Sequence, residues 1–274
     1  MVQEMKITNK NYYSQKANQA YFSVSQVKDF KKCEAMAMAK ISGEWSEEPT
    51  TAMLIGSYID SYFEGTLDSF KEQSPQIFKK DGSLKSDYVK AEIIIERIEA
   101  DKLFKICMSG DKQVIMTGEL FGANWKIKMD SFIPHEAIVD LKIVASIRDT
   151  SYAYVGRQAI KQSFIEKWGY DLQLAVYQEI VRQNTGEKLP CIIAAADKGE
   201  YTDFACISIP EDQLAFQLKE LERIMPRIIA VKNFNEEPER CECCNYCKAT
   251  RKLERLITPD ELILTKRMNQ KTVV

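Results

Sequence analysis

Residues 130–142 read Asp-Ser-Phe-Ile-Pro-His-Glu-Ala-Ile-Val-Asp-Leu-Lys, and their reading decides the fold. Just upstream, Trp125, Ile127 and Met129 alternate with Lys126, Lys128 and Asp130. That is period two, so the run predicts a strand with Asp130 on its polar face. Ile133-Pro134-His135-Glu136 supplies a turn, and Ala137 to Val144 reads as the returning strand. Residues i and i+2 of a strand share a face, so Asp140 and Lys142 point the same way. A hairpin would let Asp130 converge on Asp140. Two carboxylates beside an ammonium form a hard-oxygen site for a divalent cation, a chemistry suited to phosphodiester hydrolysis. Asp-x-Lys alone is a weak motif and describes many solvated strand faces. Its placement is what tells: Val139 and Leu141 flank Asp140 with apolar side chains, and a charge on a buried strand needs partners or a metal.

The chain has 274 residues, 45% hydrophobic and 28% charged. That suffices for one large domain, or for a domain with an accessory lobe. No apolar run approaches the roughly 20 residues of a membrane span, and the first residues lack a signal-peptide core, so the expected location is the cytoplasm. The formal net charge is −2, which requires any nucleic-acid binding to come from a local basic groove. Lys126, Lys128, Arg157 and Lys161 are candidates for it. The single histidine, His135, falls in the predicted turn, which disfavours chemistry built on a histidine base or a His-rich zinc site.

Eight cysteines are unevenly placed. Cys107, Cys191 and Cys206 read as small core residues. Cys241, Cys243, Cys244 and Cys247 crowd together, and in a cytosolic chain such a group is a metal or iron–sulfur ligand set more often than a disulfide framework.

Along the chain, residues 1–22 read as frayed. Ser23 to Ile41 predicts one helix with Cys33 inside it. Ala52 to Phe63 is a second helix, residues 66–88 a mobile loop, and Tyr88 to Phe104 a third helix. Val114 to Gly122 predicts a strand leading into the Asp130/Asp140 hairpin. Tyr154 to Asn184 predicts two helices broken near Gly169. Cys191–Ala196 and Phe204–Ile209 are strand-like, Glu211 to Val231 a long helix, and Thr258-Pro259-Asp260-Glu261 the start of a last one. The order implies an α/β mixed sheet flanked by helices, with a cysteine-containing C-terminal lobe. We read one domain over 1–274, with a core over about 20–235 and the cysteine cluster and last helix in 236–274.

Asp130 followed by Asp140-Leu141-Lys142 resembles the two metal-site strands of the PD-(D/E)XK nuclease superfamily, whose core is the restriction-endonuclease-like fold. Gly56-Ser57-Tyr58-Ile59-Asp60 resembles the helix motif of RecB-type nucleases, with Asp60 where those carry a metal-binding histidine. Gln173-Leu174-Ala175-Val176-Tyr177 resembles their Gln-x-x-x-Tyr motif. Ser23-Val24-Ser25 to Cys33, taken with Cys241, Cys244 and Cys247, is similar to members in which one early and three late cysteines bind an iron–sulfur cluster. The spacing from Cys244 to Cys247 is narrower than is usual there.

Within the superfamily the chain is most similar to phage-type exonucleases such as exodeoxyribonuclease VIII. The resemblance covers roughly residues 20–252. It implies an Mg²⁺- or Mn²⁺-dependent exodeoxyribonuclease that degrades one strand from double-stranded DNA ends, in phage or prophage recombination with a single-strand annealing protein. A phage-encoded chain would act in a bacterial host cell. Asp60, Asp130, Asp140 and the Leu141 backbone carbonyl would hold the metal, with Lys142, Gln173 and Tyr177 completing the catalytic set. Cys33, Cys241, Cys244 and Cys247 would hold a [4Fe–4S] cluster or, alternatively, Zn²⁺. Glu119, on the strand before the hairpin, is a further candidate for the metal site. A homo-oligomer is compatible with this reading, and so is a non-catalytic DNA-end-binding or interaction module on a nuclease fold.

Overall fold

The alternation around Asp130 does form strands, and they build the centre of the molecule. A computed structural model describes residues 5–155, 158–253 and 255–261. Strands β1 (Val114–Leu120) and β2 (Ala123–Met129) form an antiparallel hairpin. The chain then breaks its strand geometry at Asp130 and continues as β3 (Ser131–Ile133), which pairs antiparallel with β4 (Ala137–Val144). Strand β4 pairs in parallel with β7 (Cys191–Asp197), and β7 antiparallel with β8 (Phe204–Ser208). The sheet order is β3-β4-β7-β8, a mixed sheet. A second hairpin, β5 (Thr150–Val155) with β6 (Gln158–Ser163), stands apart from it.

Helices cover both faces. On one side lie α9 (Tyr170–Thr185) and α10 (Glu211–Lys232), which bury Leu174, Val176, Ile180, Leu221 and Met225 against Trp125, Ile127, Met129, Ile138 and Ile193. On the other, α4 (Thr51–Phe63), α6 (Ser86–Glu99) and α7 (Lys102–Cys107) bury Tyr58, Ile59, Ile94, Ile98 and Phe104 against Val139, Leu141, Ala194 and Ala196. Strands β4 and β7 are therefore apolar on both faces, as a helix-covered parallel pair requires. The short α8 (Phe164–Trp168) ends at Gly169, whose φ of +60° lets the chain turn straight into α9. The break near Gly169 agrees with the sequence reading.

Five expectations need correction. The helix expected over Tyr88 to Phe104 is two, α6 and α7, because Asp101 caps α7 by accepting the Phe104 N–H at 2.9 Å. The first helical segment is two helices, α2 (Val24–Lys32) and α3 (Glu34–Ser42), because Cys33 is extended (φ −169°, ψ 111°) and Ala35 N–H donates to the Glu239 carbonyl. Residues 5–22 are ordered: α1 (Gln15–Ala20) belongs to a small core of Ile7, Tyr12, Ala17 and Tyr21, and Phe22 bridges to Trp125. Residues 67–77 form α5 (Leu67–Gln73) and a 3₁₀ turn whose Ile77 is buried, rather than a mobile loop. Residues 158–163 form strand β6 rather than helix. The predicted last helix starts at Pro259 with Thr258 N–H donating to Glu261 (2.8 Å), and its continuation lies outside the described residues.

Two buried lysines pin the N-terminal segment. Lys232 Nζ donates to the Tyr21 carbonyl (2.8 Å) and Gln26 Oε1 (3.0 Å), and sits 3.8 Å from the Phe22 ring centroid. Lys126 donates to Asn18 Oδ1 (2.7 Å) and to the Tyr12 carbonyl. Neither forms an ion pair among the described residues. Burial, helped by the charge of Lys126, pushes Lys232 down to about 7. The unfolded lysine titrates near 10.4, so between pH ~7 and ~10 the unfolded chain holds more protons than the folded one. Stability is then fully present above the unfolded value and is lost as pH falls toward 7. Lys232→Met should flatten the rise of Tm between pH 7 and 10, and an unchanged pH slope would refute this account.

Candidate active site and cysteine cluster

The break at Asp130 and the β3–β4 register bring the two strand carboxylates together. Ser131 pairs with Val139, so Asp130 lies level with Asp140. Asp130 Oδ2 accepts the Leu141 N–H at 2.9 Å. Asp140 is 2% exposed and shares its strand face with Ile138, toward α9. Its Oδ1 accepts from Gln173 Nε2 at 2.7 Å. Its buried Oδ2 takes the Lys142 ammonium as a direct ion pair. Gln173 Nε2 also donates to the Tyr177 hydroxyl (3.2 Å), one turn along α9.

The acids repel one another. Burial first, then the charge of Asp140, pushes Asp130 up to about 7, against the opposing pull of Lys142 and the Leu141 N–H. Asp60, near the end of α4, is raised well above the usual carboxylate range by burial and then by Asp130. Asp60, Asp130 and Lys142 keep partial solvent access, as groups do at the floor of a cleft. A cavity of about 330 Å³ opens beside Asp60 and is lined also by Ser57, Glu64, Lys128 and Tyr13. Burial opposes the charge on Lys142, but Asp140 and Asp130 outweigh it and hold the ammonium more firmly than an ordinary lysine. With the carboxylates free of metal, Lys142 is therefore held as a cation at neutral pH.

The surplus of carboxylates that raise one another in this cleft fits a divalent cation. The three aspartates remain more loosely grouped than the cysteines: among the described residues only the cysteines bring three or more ligand atoms within 4.8 Å of one another.

Other candidates fall elsewhere. Glu119 is exposed near the turn of the β1–β2 hairpin, opposite Asn124, with its backbone bonded to Gln183. That turn is the end of the hairpin remote from Asp130, so Glu119 does not join the site. Lys126 is buried at 1% exposure and pins the N-terminal segment, so it cannot grip DNA. Lys128 does face the cleft, 4.7 Å from the Tyr13 ring centroid. Lys161 is exposed on β6, and Arg157 lies outside the described residues. His135 occupies its turn at φ +65° and pairs with Glu187 (2.9 Å) on the surface.

Three residues escaped the sequence reading. Glu64 lies four positions after Asp60 and raises both Asp60 and Asp130; the i, i+4 spacing was a usable signal. Lys28 is pushed down to about 8 by burial and then by Lys142. The ammonium groups of Lys28 and Lys142 each sit 5.1 Å from the Tyr170 ring centroid. Nothing in the local sequence marks Lys28 or Tyr170, because their placement depends on how α2 packs on α9.

Cys33, Cys241, Cys244 and Cys247 converge with all four sulfurs within 4.8 Å of one another. Cys33 Sγ lies 3.6 Å from Cys247 Sγ, and Cys241 Sγ lies 3.9 Å from it. A tetrahedral ion with bonds of about 2.3 Å sets its thiolates roughly 3.8 Å apart. Burial opposes ionisation of Cys241, but the N–H groups of Cys243 and Cys244 bring its thiol down to about 6. Cys243 is exposed, 3.7 Å from Cys241 Sγ, and outside the set of four. The short α11 (Asn245–Ala249) starts at Cys244, and the cluster packs on α3 beside Trp45 and Tyr246.

The mixed sheet, the bent strand at Asp130 and the Asp140-x-Lys142 strand define a PDDEXK-like domain. The chain matches, over residues 23–250, the family described as PDDEXK-like domain of unknown function (DUF3799), and it belongs to that family. It is similar to a crystal structure of a protein from Eubacterium rectale that carries an inferred exonuclease designation. The two are 52% identical, with a TM-score of 0.90 over 94% of this chain and 98% of that one. No curated protein matches.

Proposed function

We propose that this chain is a divalent-metal-dependent nuclease acting on DNA, and specifically an exonuclease that degrades one strand from double-stranded ends. The observation that carries the reading is the gathering of Asp60, Asp130 and Asp140 in one cleft: Asp140 is a carboxylate on the buried face of an apolar strand, paired with Lys142 and held by Gln173, while burial and mutual repulsion raise Asp130 and Asp60. Such an arrangement costs stability unless it serves a ligand. The exonuclease designation of the Eubacterium rectale protein supports exonuclease action; the degradation of one strand from double-stranded ends rests on the resemblance to phage-type exonucleases.

Asp130 and Asp140, with Asp60 and the Leu141 carbonyl, would hold Mg²⁺ or Mn²⁺. That cation supplies Lewis-acid polarisation of the scissile phosphate and a lowered pKa for water. Asp130 is oriented by the Leu141 N–H and Asp140 by Gln173. Lys142 would offset negative charge on the phosphate and orient the attacking water. Tyr177, held protonated chiefly by burial and also by the charges of Asp140 and Asp130, fixes the Gln173 amide. Lys28 adds a second cation to the same cleft.

The cysteines would hold a structural metal, and the sulfur separations favour a single tetrahedral zinc over a [4Fe–4S] cluster. The recombination setting, with a single-strand annealing partner in a bacterial host, rests on the resemblance to phage-type exonucleases. Among the described residues no helix is long and apolar enough to cross a membrane.

The test is an end-labelled linear duplex beside a covalently closed circle, each with Mg²⁺ or EDTA. We expect Mg²⁺-dependent release of label from the linear form alone. Equal attack on the circle would replace exonuclease by endonuclease. Binding of linear ends without hydrolysis in any divalent metal would favour the non-catalytic end-binding reading.

A further inference from the structure

We propose that the β5–β6 hairpin is a DNA-engaging ribbon that enters a groove of the duplex beside the active site. The inference rests on the nuclease reading and names the surface that would grip its substrate.

Three observations converge on it. The hairpin contributes no described residue to the hydrophobic clusters: Tyr152 is 63% exposed, Ile160 on the opposite face 43%, and Gln158, Ala159 and Lys161 are exposed too, while Ser151, Ala153, Gln162 and Ser163 are half-buried. A two-stranded ribbon exposed on both faces is marginal by itself and gains from a partner. Its charge is one-sided as well. From Thr150 to Ile165 the sequence contains no Asp or Glu, whereas Arg157 and Lys161 fall within it, in a chain with 40 acids. That balance suits a polyanion.

Its position is the third observation. The ribbon leaves the chain after β4, which carries Asp140 and Lys142, and returns through α8 into α9, which carries Gln173 and Tyr177. Its base is tied by Lys167 to Asp149 (2.8 Å) and by Arg148 to Asp203 (2.8 Å). Trp168, 54% exposed, stands at that base two residues before Tyr170. Six residues per strand reach roughly 20 Å, and the major groove, about 12 Å wide, admits a two-stranded β-ribbon. Tyr152 and Lys161 are direct cross-strand partners; they place an aromatic ring and an ammonium together on one face, toward sugar and phosphate.

The test measures binding in EDTA, where hydrolysis is blocked, by fluorescence anisotropy at fixed salt. The full chain is compared with Tyr152→Ala/Lys161→Ala and with a variant whose residues 151–162 are replaced by a Gly-Ser turn. Probes are a labelled duplex and a labelled single strand. We expect duplex Kd to rise at least about tenfold in both variants and single-strand Kd to stay within twofold, with thermal melting confirming the fold. Lys161→Ala alone should reduce the slope of log Kd against log salt by about 1. Unchanged duplex binding overturns the proposal, as does equal loss on both probes. So does a variant that alters only the oligomeric state, which would give the ribbon to a second copy of the chain. If the unaltered chain binds no DNA of either form, the nuclease reading falls and takes this inference with it.

Discussion

Asp140→Ala is expected to lower metal-dependent DNA hydrolysis by about 10³-fold or more, since a catalytic cation supplies several kcal/mol of transition-state stabilisation. Asp140→Asn separates charge from geometry. Its carbonyl can still accept from Gln173, as Asp140 Oδ1 does at 2.7 Å, yet it should be almost as inactive. Lys142→Ala should also lose turnover, through a different cause. It removes the cation that pairs with Asp140 Oδ2 and offsets Asp130, so metal binding survives or tightens while charge on the phosphate goes uncompensated. Differential scanning fluorimetry with and without Mn²⁺ distinguishes the two. The metal-induced rise in Tm should persist in Lys142→Ala and vanish in Asp140→Ala. Folded variants with activity near that of the parent chain would remove both residues from the mechanism.

The second large effect is expected at the cysteines. Cys33 and Cys247 are 214 positions apart and their sulfurs lie 3.6 Å apart, so a shared metal closes nearly the whole chain into a loop. Cross-links of that span contribute on the order of 5 kcal/mol through the entropy of the unfolded chain. Cys247→Ser, or removal of the metal by a chelator, should therefore lower Tm by roughly 10 °C in a domain of this size. The loosening should be local at first. Limited proteolysis should open α2–α3 and the segment around Arg240–Thr250, where Glu34 pairs with Arg227 (2.7 Å) and receives the Glu239 N–H. The β3–β4 hairpin should stay protected in the core. Elemental analysis should return one zinc per chain. Iron with acid-labile sulfide would overturn zinc while keeping the site, and unaltered stability without any metal would remove the site itself.

The β3–β4 strand pair of the candidate site was readable from residues alone, because period two assigns faces without knowledge of the rest of the fold. Alternation from Trp125 to Asp130 and again from Val139 to Lys142 placed Asp140 and Lys142 on one face, and the turn at Ile133–Glu136 set the register that levels Asp130 with Asp140. Apolar runs at Cys191–Ala196 and Phe204–Ile209 likewise became β7 and β8. Asp60, Gln173, Tyr177 and Cys33 were reached only through family resemblance. Their partners are distant in the chain, and no local rule of spacing links them.

Other features were decided by tertiary structure. Lys126 alternates with apolar neighbours as a surface lysine would, yet residues 5–22 fold over that edge and bury it. Cys33 interrupts a run that propensity would continue as helix, because its sulfur and the Glu239 carbonyl hold the backbone extended. The stretch from Tyr154 to Ser163 carries helix-compatible spacing but adds no described residue to the hydrophobic clusters, so cross-strand pairing with Thr150–Val155 sets its form. Glu119 shares a strand with the site's neighbours but lies at the wrong end. Periodicity reports which face of an element is apolar; it carries no information about which other element covers that face, and most of this site's electrostatics depend on that covering.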